Sequence, residues 1–329
     1  MKKVSPIPPS KTFSCLPITG GINRFMHRLK TLFLATRPQF FPAVVIPVAL
    51  GASTAWYKVG VFNAKHFLLS LMAAIFFHAG MNVLNDYFDF RNGTDNINRN
   101  ALTPFTGGSR FIQRGLLTPG ETLALGASLV GAGSIVGVYL ALEVSTLLLL
   151  IGGVGLLSGL FYSAPPFFFA GRGLGEIVVG VDFGVLTVLG SYMVQTGSPA
   201  PEPVFASLPI SFLISALLYI NEFPDYEADR SAGKRNLVVR LGLKRGIAGF
   251  YLLVAGAYLS IIAGVLLGYL PLPSLAALLS LVFALPAVTG LARNYDRGPK
   301  LIPSIKAVIL AHVSSGVLLI SANIGGNFL

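Results

Sequence analysis

The sequence predicts an all-α, polytopic membrane protein with about nine transmembrane helices. Of its 329 residues, 53% are hydrophobic and only 11% are charged, and the mean hydropathy is +0.73. A soluble domain carries about 25% charged residues to cover its surface, and this chain lacks them. The third observation is a series of apolar runs of about 20 residues, the length a helix needs to cross a bilayer.

Residues 1–37 are predicted to form a cytoplasmic segment ahead of a transmembrane domain at 38–329. Between Gly21 and Thr36, apolar residues recur at helical spacing on the side opposite the basic residues. The apolar set is Ile22, Phe25, Met26, Leu29, Leu32 and Phe33, and the basic set is Arg24, Arg28 and Lys30. This pattern is typical of an amphipathic helix on the inner membrane surface.

The transmembrane domain is predicted to contain nine helices that follow the apolar runs. These runs cover residues 38–57, 66–90, 120–141, 143–163, 175–197, 203–223, 246–269, 271–293 and 301–322. Glycine and proline are frequent within them, as membrane helices tolerate.

Charge predicts the orientation of these helices. With nine spans, 21 of the 24 Lys and Arg residues fall on one side of the membrane. The positive-inside rule then predicts an integral inner-membrane protein with a cytoplasmic N-terminus and an external C-terminus. The net charge of +11 reflects this topology and contact with anionic lipid, so we expect no nucleic-acid partner.

Acidic residues are concentrated in two short motifs at the ends of apolar runs. Seven of the 13 acidic residues lie there: Asp86, Asp89, Asp95, Glu222, Asp225, Glu227 and Asp229. Carboxylates at membrane depth are costly and usually hold an ion or a charged substrate. Both motifs are predicted on the cytoplasmic side, after spans two and six.

Helical spacing places the oxygen donors of each motif on one face. Asn82 and Asp86 are four residues apart, as are Asn85 and Asp89, and Asn221, Asp225 and Asp229 also recur every four residues. Such hard ligands suit Mg²⁺, which takes one or two carboxylates and completes its shell with water and substrate phosphate. Two facing sets could clamp a diphosphate and neutralise it as it leaves. The alternative is that these acids form ordinary salt bridges in solvated loops.

Basic residues beside the motifs are candidates to bind the diphosphate. Arg110 follows Thr106-Gly-Gly-Ser109, whose glycines would let backbone N–H groups approach a phosphate. Lys234 and Arg235 follow the second motif. An ordinary loop is the alternative for the Gly-Gly-Ser turn, and the positive-inside bias accounts for the other basic residues.

Three polar residues within the spans have two interpretations each. Tyr162 ends span four and would either anchor the helix at the interface or present its ring to an allylic cation. Asp182, in span five, would either orient an acceptor hydroxyl or pair within the bundle. His78 is better explained as a hydrogen-bonded core residue than as a metal ligand.

These motifs resemble the UbiA superfamily of intramembrane aromatic prenyltransferases, from about residue 34 to 322. Asn221-x₃-Asp225-x₃-Asp229 matches the second motif of that family. The first motif departs from the general pattern of the family, because the next acid after Asp89 is Asp95, six residues further on instead of four. This spacing is similar to that of the menaquinone branch of the family, which prenylates 1,4-dihydroxy-2-naphthoate. Three further stretches are similar to that branch: Thr106–Arg110, Tyr162–Pro166, and Gly173-Leu-Gly-Glu176 running to Gln195-Thr-Gly197.

The resemblance implies nine helices around a central cavity, with the motif loops above it and a lateral opening for a polyprenyl chain. It implies that Mg²⁺ is held by Asn82, Asp86, Asp89, Asn221, Asp225 and Asp229, with Asp95 a possible further ligand. Asp86, Asp89, Asp225, Asp229 and Tyr162 would be catalytic. The substrates would be bound by Asn82, Asn85, Arg110, Asn221, Lys234, Arg235 and Asp182.

The function implied is Mg²⁺-dependent transfer of a polyprenyl group from its diphosphate to a dihydroxynaphthoate-like acceptor. In the menaquinone branch the ring carboxylate leaves as CO₂ and the product is demethylmenaquinone. Another aromatic or naphthoate-derived acceptor is the alternative within the same family. A transporter of ions or anionic substrates is the alternative from another class, although transporters place their site near the midplane instead of at one face.

Overall fold

The fold is described here from a computed structural model that covers residues 21–94, 102 and 105–326. Within these residues the regular structure is helical and contains no strand. The helices are α1 (Gly21–Ala35), α2 (Pro42–Val59), α3 (Ala64–Asn92), α4 (Pro119–Glu143), α5 (Leu147–Ser163), α6 (Gly175–Thr196), α7 (Pro201–Ser231), α8 (Leu237–Leu241), α9 (Leu243–Leu266), α10 (Leu272–Asn294) and α11 (Ile302–Gly325).

The predicted all-α membrane fold is confirmed, and each predicted span coincides with a helix. Seven of the described helices are long and apolar enough to cross a membrane alone, or eight if Phe25–Phe40 and Pro42–Val59, bent by 58°, count as one span. The helix Leu147–Ser163 is apolar but shorter. The count of nine crossings therefore stays a prediction, as do the domain boundary and the sidedness of the termini.

Polar residues define where the long helices begin. The Asn63 side chain caps α3 by accepting a hydrogen bond from the His66 backbone N–H at 3.1 Å. Thr118 and Glu121 form a capping box at the start of α4, in which each side chain accepts from the other's backbone N–H. Such caps satisfy amide groups that the first helical turn leaves unpaired.

Helix α7 lies at the centre of the bundle. Two thirds (67%) of its most apolar window is buried, more than in any other described span. Its apolar residues pack with those of α2, α9, α10 and α11 into the main core, which includes Leu213, Ile220, Phe250 and Ile305. The polar motif that follows on the same helix is therefore carried by a rigid element.

Helices α3 and α4 approach closely through glycine. A Cβ atom added at Gly80 would lie 2.7 Å from Val130 Cγ2 and 2.9 Å from Val130 N, so no side chain fits there. Gly126 faces Leu84 across the same contact. Small residues at membrane helix interfaces allow this approach. The packing fixes the position of α3, which carries the first motif.

Helix α6 is interrupted by a π-helical segment from Gly180 to Leu186. Gly184 in this segment contacts Ser211 of α7 so closely that a Cβ would overlap its hydroxyl. π-Helical turns occur frequently at functional sites, because they re-aim the side chains that they carry. Here the segment carries Asp182.

A large cavity lies between α2, α3, α4, α5, α6 and α7, and residues 105–108 also line it. Within the described part of the chain, none of its lining residues comes from α9, α10 or α11. These last helices instead pack behind α7 and support it. Of the described helices, α2 to α7 thus line the cavity, and the later ones do not.

Candidate active site

The cavity has a volume of about 640 Å³, with a polar end and a mostly apolar remainder. The polar end brings both motifs together, although 139 residues separate Asp86 from Asp225 in the sequence. Nine of the predicted site residues line the cavity: Asn82, Asn85, Asp89, Tyr162, Asp182, Asn221, Asp225, Asp229 and Lys234. Asp86, Arg110 and Arg235 are not among the lining residues of the described chain.

The first motif lies on the last turns of α3. The Asn85 amide donates to Asp89 Oδ2 at 3.1 Å and to Ser163 Oγ of α5 at 2.6 Å. The Asn82 amide lies 3.2 Å from His78 Nε2 and 3.3 Å from the Thr36 carbonyl. These contacts orient the amide oxygens and the Asp89 carboxylate at the cavity wall. His78 is buried and hydrogen-bonded, as the sequence favoured.

Asp86 differs from the other acids because Arg37 already neutralises it. Its buried carboxylate forms an ion pair with Arg37 and accepts hydrogen bonds from the Ser109 backbone N–H at 3.2 and 3.3 Å. Arg37 lines the cavity and Asp86 does not. The predicted role of Asp86 as a ligand would therefore require Arg37 to release it, for example to a bound diphosphate.

Arg37 is a site residue that the sequence analysis missed. In the sequence Arg37 lies just ahead of the first apolar run, where the positive-inside rule alone explains a basic residue. Its backbone adopts a left-handed conformation (φ 56°) immediately before Pro38. A basic residue held at the end of an amphipathic helix, directly before a proline, was the available signal.

The second motif lies on the last turns of α7. Asn221, Asp225 and Asp229 all line the cavity, as helical spacing predicted. Asp229 Oδ2 accepts a hydrogen bond from the Asn236 amide at 2.8 Å, and Lys234 Nζ lies 3.6 Å from Asp229 Oδ1. Asn221 Oδ1 is buried with no hydrogen-bond partner. That oxygen is an unused acceptor at the polar end.

Lys234 lies between the two motifs. Burial disfavours its charged ammonium, yet the carboxylates of Asp229 and Asp89 outweigh this effect and hold the pKa of Lys234 well above its ordinary value. Asp89 belongs to the first motif and Asp229 to the second, so Lys234 is close to both motifs. A lysine ammonium held in this position suits an anionic substrate.

The glycine-containing loop also reaches the cavity. Thr106, Gly107 and Gly108 line it, and both glycines have φ of 73°, a conformation that glycine adopts without strain. Arg110 and Arg235, by contrast, do not contribute to the lining of the described cavity. Arg235 is exposed, and its backbone N–H donates to the Gly171 carbonyl at 2.9 Å. The predicted contacts of these two arginines with diphosphate stay predictions.

Two buried glutamates beside the motifs were not predicted as site residues. Glu222 lines the cavity next to Asn221, and its Oε2 has no hydrogen-bond partner. Glu176 is buried at the start of α6, where its Oε1 accepts from the Leu237 backbone N–H at 2.9 Å. Their positions in the sequence were noted, but only the helix packing shows that they are buried.

The side-chain oxygens at the polar end suit a hard divalent cation that also binds the substrate. They suit less well a metal site formed by protein ligands alone. Among residues 21–94, 102 and 105–326, no group of three or more His, Cys, Asp and Glu side chains is placed to hold a metal. The cavity instead offers carboxylates and amide oxygens, including the unpartnered Asn221 Oδ1. Mg²⁺ binds through such sparse protein ligands and takes the rest from phosphate and water. Asp95 lies outside the described residues.

Residues 44–302 match the UbiA prenyltransferase family. The chain belongs to this family. It is therefore a prenyltransferase, as the resemblance implied, and this favours the enzyme over the transporter.

Curated relatives of the UbiA chain include enzymes that act on naphthoate derivatives. It is 28% identical to the 1,4-dihydroxy-2-naphthoate octaprenyltransferase of Bacillus subtilis (strain 168), over 88% of this chain and 90% of that one. It is also 28% identical to the 2-carboxy-1,4-naphthoquinone phytyltransferase of Synechocystis sp., over 88% of this chain and 92% of that one. The mouse UbiA prenyltransferase domain-containing protein 1 is 31% identical over 66% of this chain and 62% of its own.

Solved UbiA structures share the fold at lower identity. A UbiA homologue from Archaeoglobus fulgidus bound to DMAPP and Mg²⁺ superimposes with a TM-score of 0.63 at 18% identity, over 88% of this chain and 99% of that one. The apo homologue from Aeropyrum pernix K1 gives a TM-score of 0.62 at 21% identity, over 88% of this chain and 98% of that one. These likenesses confirm the UbiA fold.

Proposed function

We propose that the protein transfers a polyprenyl group from polyprenyl diphosphate to 1,4-dihydroxy-2-naphthoate, with loss of CO₂, to form demethylmenaquinol, whose oxidised form is demethylmenaquinone. The observation that carries this proposal is the cavity itself. Two oxygen-rich motifs and Lys234 converge at its polar end, while the remainder is apolar and suits an isoprenoid chain. The named activities of the Bacillus and Synechocystis relatives support a naphthoate-derived acceptor.

The polar end would bind the diphosphate of the donor. Lys234 and Arg37 supply positive charge there, and the N–H groups of Gly107 and Gly108 belong to a loop at the same end. Asn82, Asp89, Asn221, Asp225 and Asp229 would hold Mg²⁺, with Asp86 joining them if Arg37 turns to the diphosphate. When bound, the metal supplies a Lewis acid that stabilises the leaving diphosphate.

The chemistry would proceed by breaking the allylic C–O bond of the donor, whose electron pair stays with the diphosphate. Lys234 and Arg37 stabilise the charge that develops on the diphosphate. The Tyr162 ring, at the cavity wall, would stabilise the allylic cation through its π face. The ring carbon that bears the carboxylate then forms the new C–C bond. The bond from this carbon to the carboxylate breaks, CO₂ leaves, and the electron pair of that bond returns to the ring and restores its aromaticity.

The apolar part of the cavity would hold the prenyl chain and exclude water. Residues of α4, α5 and α6 line this part, among them Val138, Leu148, Leu156, Leu186 and Val194. Water would otherwise capture the cation, so an apolar wall protects the reaction.

Purified protein in detergent or liposomes tests the proposal directly. With Mg²⁺, octaprenyl diphosphate and 1,4-dihydroxy-2-naphthoate we expect stoichiometric release of diphosphate and CO₂. Mass spectrometry should detect demethylmenaquinol, or demethylmenaquinone once air has oxidised the product. EDTA should abolish turnover and added Mg²⁺ should restore it. A product that retains the carboxylate, or turnover with another aromatic acceptor only, would contradict the assigned acceptor but not the prenyl transfer.

A further inference from the structure

A second polar position lies in the cavity below the diphosphate end. Asp182 of α6 lines the cavity beside Ser158 of α5. Ser158 precedes Tyr162 by four residues, so it lies one helical turn, about 6 Å, further from the polar end. The carboxylate is therefore separate from both metal-binding motifs and close to the position proposed for the allylic cation.

Ser158 holds Asp182 but leaves much of its hydrogen-bonding capacity unused. The Ser158 hydroxyl lies 2.8 Å from both Asp182 oxygens, and also 2.7 Å from the Val154 carbonyl. One hydroxyl has one proton to donate, whereas a carboxylate accepts about four hydrogen bonds. None of the ion pairs among the described residues includes Asp182. Its remaining acceptor sites face a cavity that a substrate would fill.

The backbone around Asp182 supports a role in binding. The residue sits within the π-helical segment Gly180–Leu186, which is packed tightly against Ser211 and Ser215 of α7. The neighbouring Phe183 ring meets His78 edge-on, with ring centroids 5.1 Å apart. An acid at this depth is costly, and for stability alone an apolar residue would serve better.

We propose that Asp182, oriented by Ser158, accepts a hydrogen bond from a ring hydroxyl of the aromatic acceptor. This inference rests on the proposed function and names what the acceptor must carry: a free hydroxyl on the ring, not an ether or a quinone carbonyl. The hydrogen bond to a carboxylate draws the proton away from the ring oxygen and raises electron density on the ring. The hydrogen bond thereby makes the attacking ring carbon of the acceptor, which would lie about one helical turn from Tyr162, a stronger nucleophile.

The test compares Asp182→Asn and Ser158→Ala with a matched control, Ser134→Ala. Ser134 also lines the cavity, and its hydroxyl donates only within α4, to the Val130 carbonyl at 2.9 Å. We expect Asp182→Asn to raise the KM for 1,4-dihydroxy-2-naphthoate by about tenfold, because the uncharged amide oxygen accepts a weaker hydrogen bond than a carboxylate does. Ser158→Ala should raise it less, and the KM for octaprenyl diphosphate should change less than about twofold in every variant.

Acceptor analogues provide a readout that a merely structural role would not change. One of the two monomethyl ethers of dihydroxynaphthoate should bind wild type more weakly than the parent compound does. Asp182→Asn should discriminate less than wild type between this ether and the parent compound. An unchanged acceptor KM in Asp182→Asn, or an equal loss of donor affinity, would overturn the inference. Calorimetry measures the binding of dihydroxynaphthoate without turnover. Equal Kd values for wild type and Asp182→Asn would also overturn the inference. Failure of wild type to prenylate any acceptor would count against the proposed function instead.

Discussion

At the scale of single residues, the site depends on charges that are buried together. Arg37 and Asp86 form an ion pair whose side chains are 16% and 6% exposed, whereas those of Arg28 and Glu121 are 41% and 43% exposed. Removing one partner of a buried pair leaves an uncompensated charge, while an exposed pair contributes little. The two pairs should therefore respond differently to the same substitution.

We expect Arg37→Met to destabilise the protein by about 3–5 kcal/mol, because the Asp86 carboxylate is left unpaired. Adding Asp86→Asn should recover most of this loss, since the amide keeps an oxygen for the Ser109 N–H and carries no charge. Arg28→Met should cost less than about 1 kcal/mol. Thermal unfolding in detergent measures all three variants, and equal stability of Arg37→Met and the double variant would contradict the pairing argument.

The second motif gives a prediction about turnover. Asp225→Asn and Asp229→Asn keep side-chain size but remove one negative charge each from the polar end of the cavity. We expect kcat/KM for the prenyl diphosphate to fall about 100-fold or more, equivalent to at least about 2.7 kcal/mol of transition-state stabilisation.

The control for these variants is Asp296→Asn, since Asp296 lies in a loop with its side chain 55% exposed. It should retain wild-type kinetics. Full activity of Asp225→Asn or Asp229→Asn would remove the proposed metal role from that residue.

At the scale of helices, hydropathy predicted the existence of each element better than its end. The sixth span was predicted to end at residue 223, but α7 continues to Ser231 and carries the whole second motif. Hydropathy falls at Asn221 and Asp225 because both side chains are polar. These side chains line the cavity, so the helix continues past the end of the apolar run. The π-helical segment of α6 was not predicted, because a single inserted residue does not alter the apolar pattern of a span.

The close contact between α3 and α4 gives a prediction at this scale. We expect Gly80→Leu to destabilise the protein by about 1–3 kcal/mol through overpacking, because backbone and side-chain atoms of Val130 occupy the space. Activity should fall as well, since α3 carries Asn82, Asn85 and Asp89.

Gly131→Leu on α4 is the matched control, because a Cβ at Gly131 has no atom within 4 Å. It should leave the unfolding temperature and the kinetics unchanged. If both leucine variants behaved alike, the α3–α4 contact would not position the first motif.

At the scale of the whole molecule, the distribution of charge predicts the orientation in the membrane. Cys15 is the only cysteine in the sequence, so a Cys15→Ser background allows single cysteines to be introduced. We expect Val61→Cys, between α2 and α3, to react with a membrane-impermeant maleimide on intact cells. Lys300→Cys, between α10 and α11, should react only after permeabilisation.

The two positions lie in connections that the positive-inside rule assigns to opposite sides. The opposite labelling pattern would invert the topology and place the active site outside. Equal labelling of both positions on intact cells would contradict the number of spans between them.

The sequence by itself determined the class of the protein and its two motifs. Hydropathy, charge asymmetry and four-residue spacing are local properties, so they identify apolar helices and the faces that carry Asp89, Asp225 and Asp229 without any knowledge of packing. Tertiary structure decided which groups meet. Arg37 reaches Asp86 across 49 residues of sequence, and Ser158 reaches Asp182 from the preceding helix. Such pairings depend on how helices pack against one another, and spacing along one helix contains no information about its neighbours.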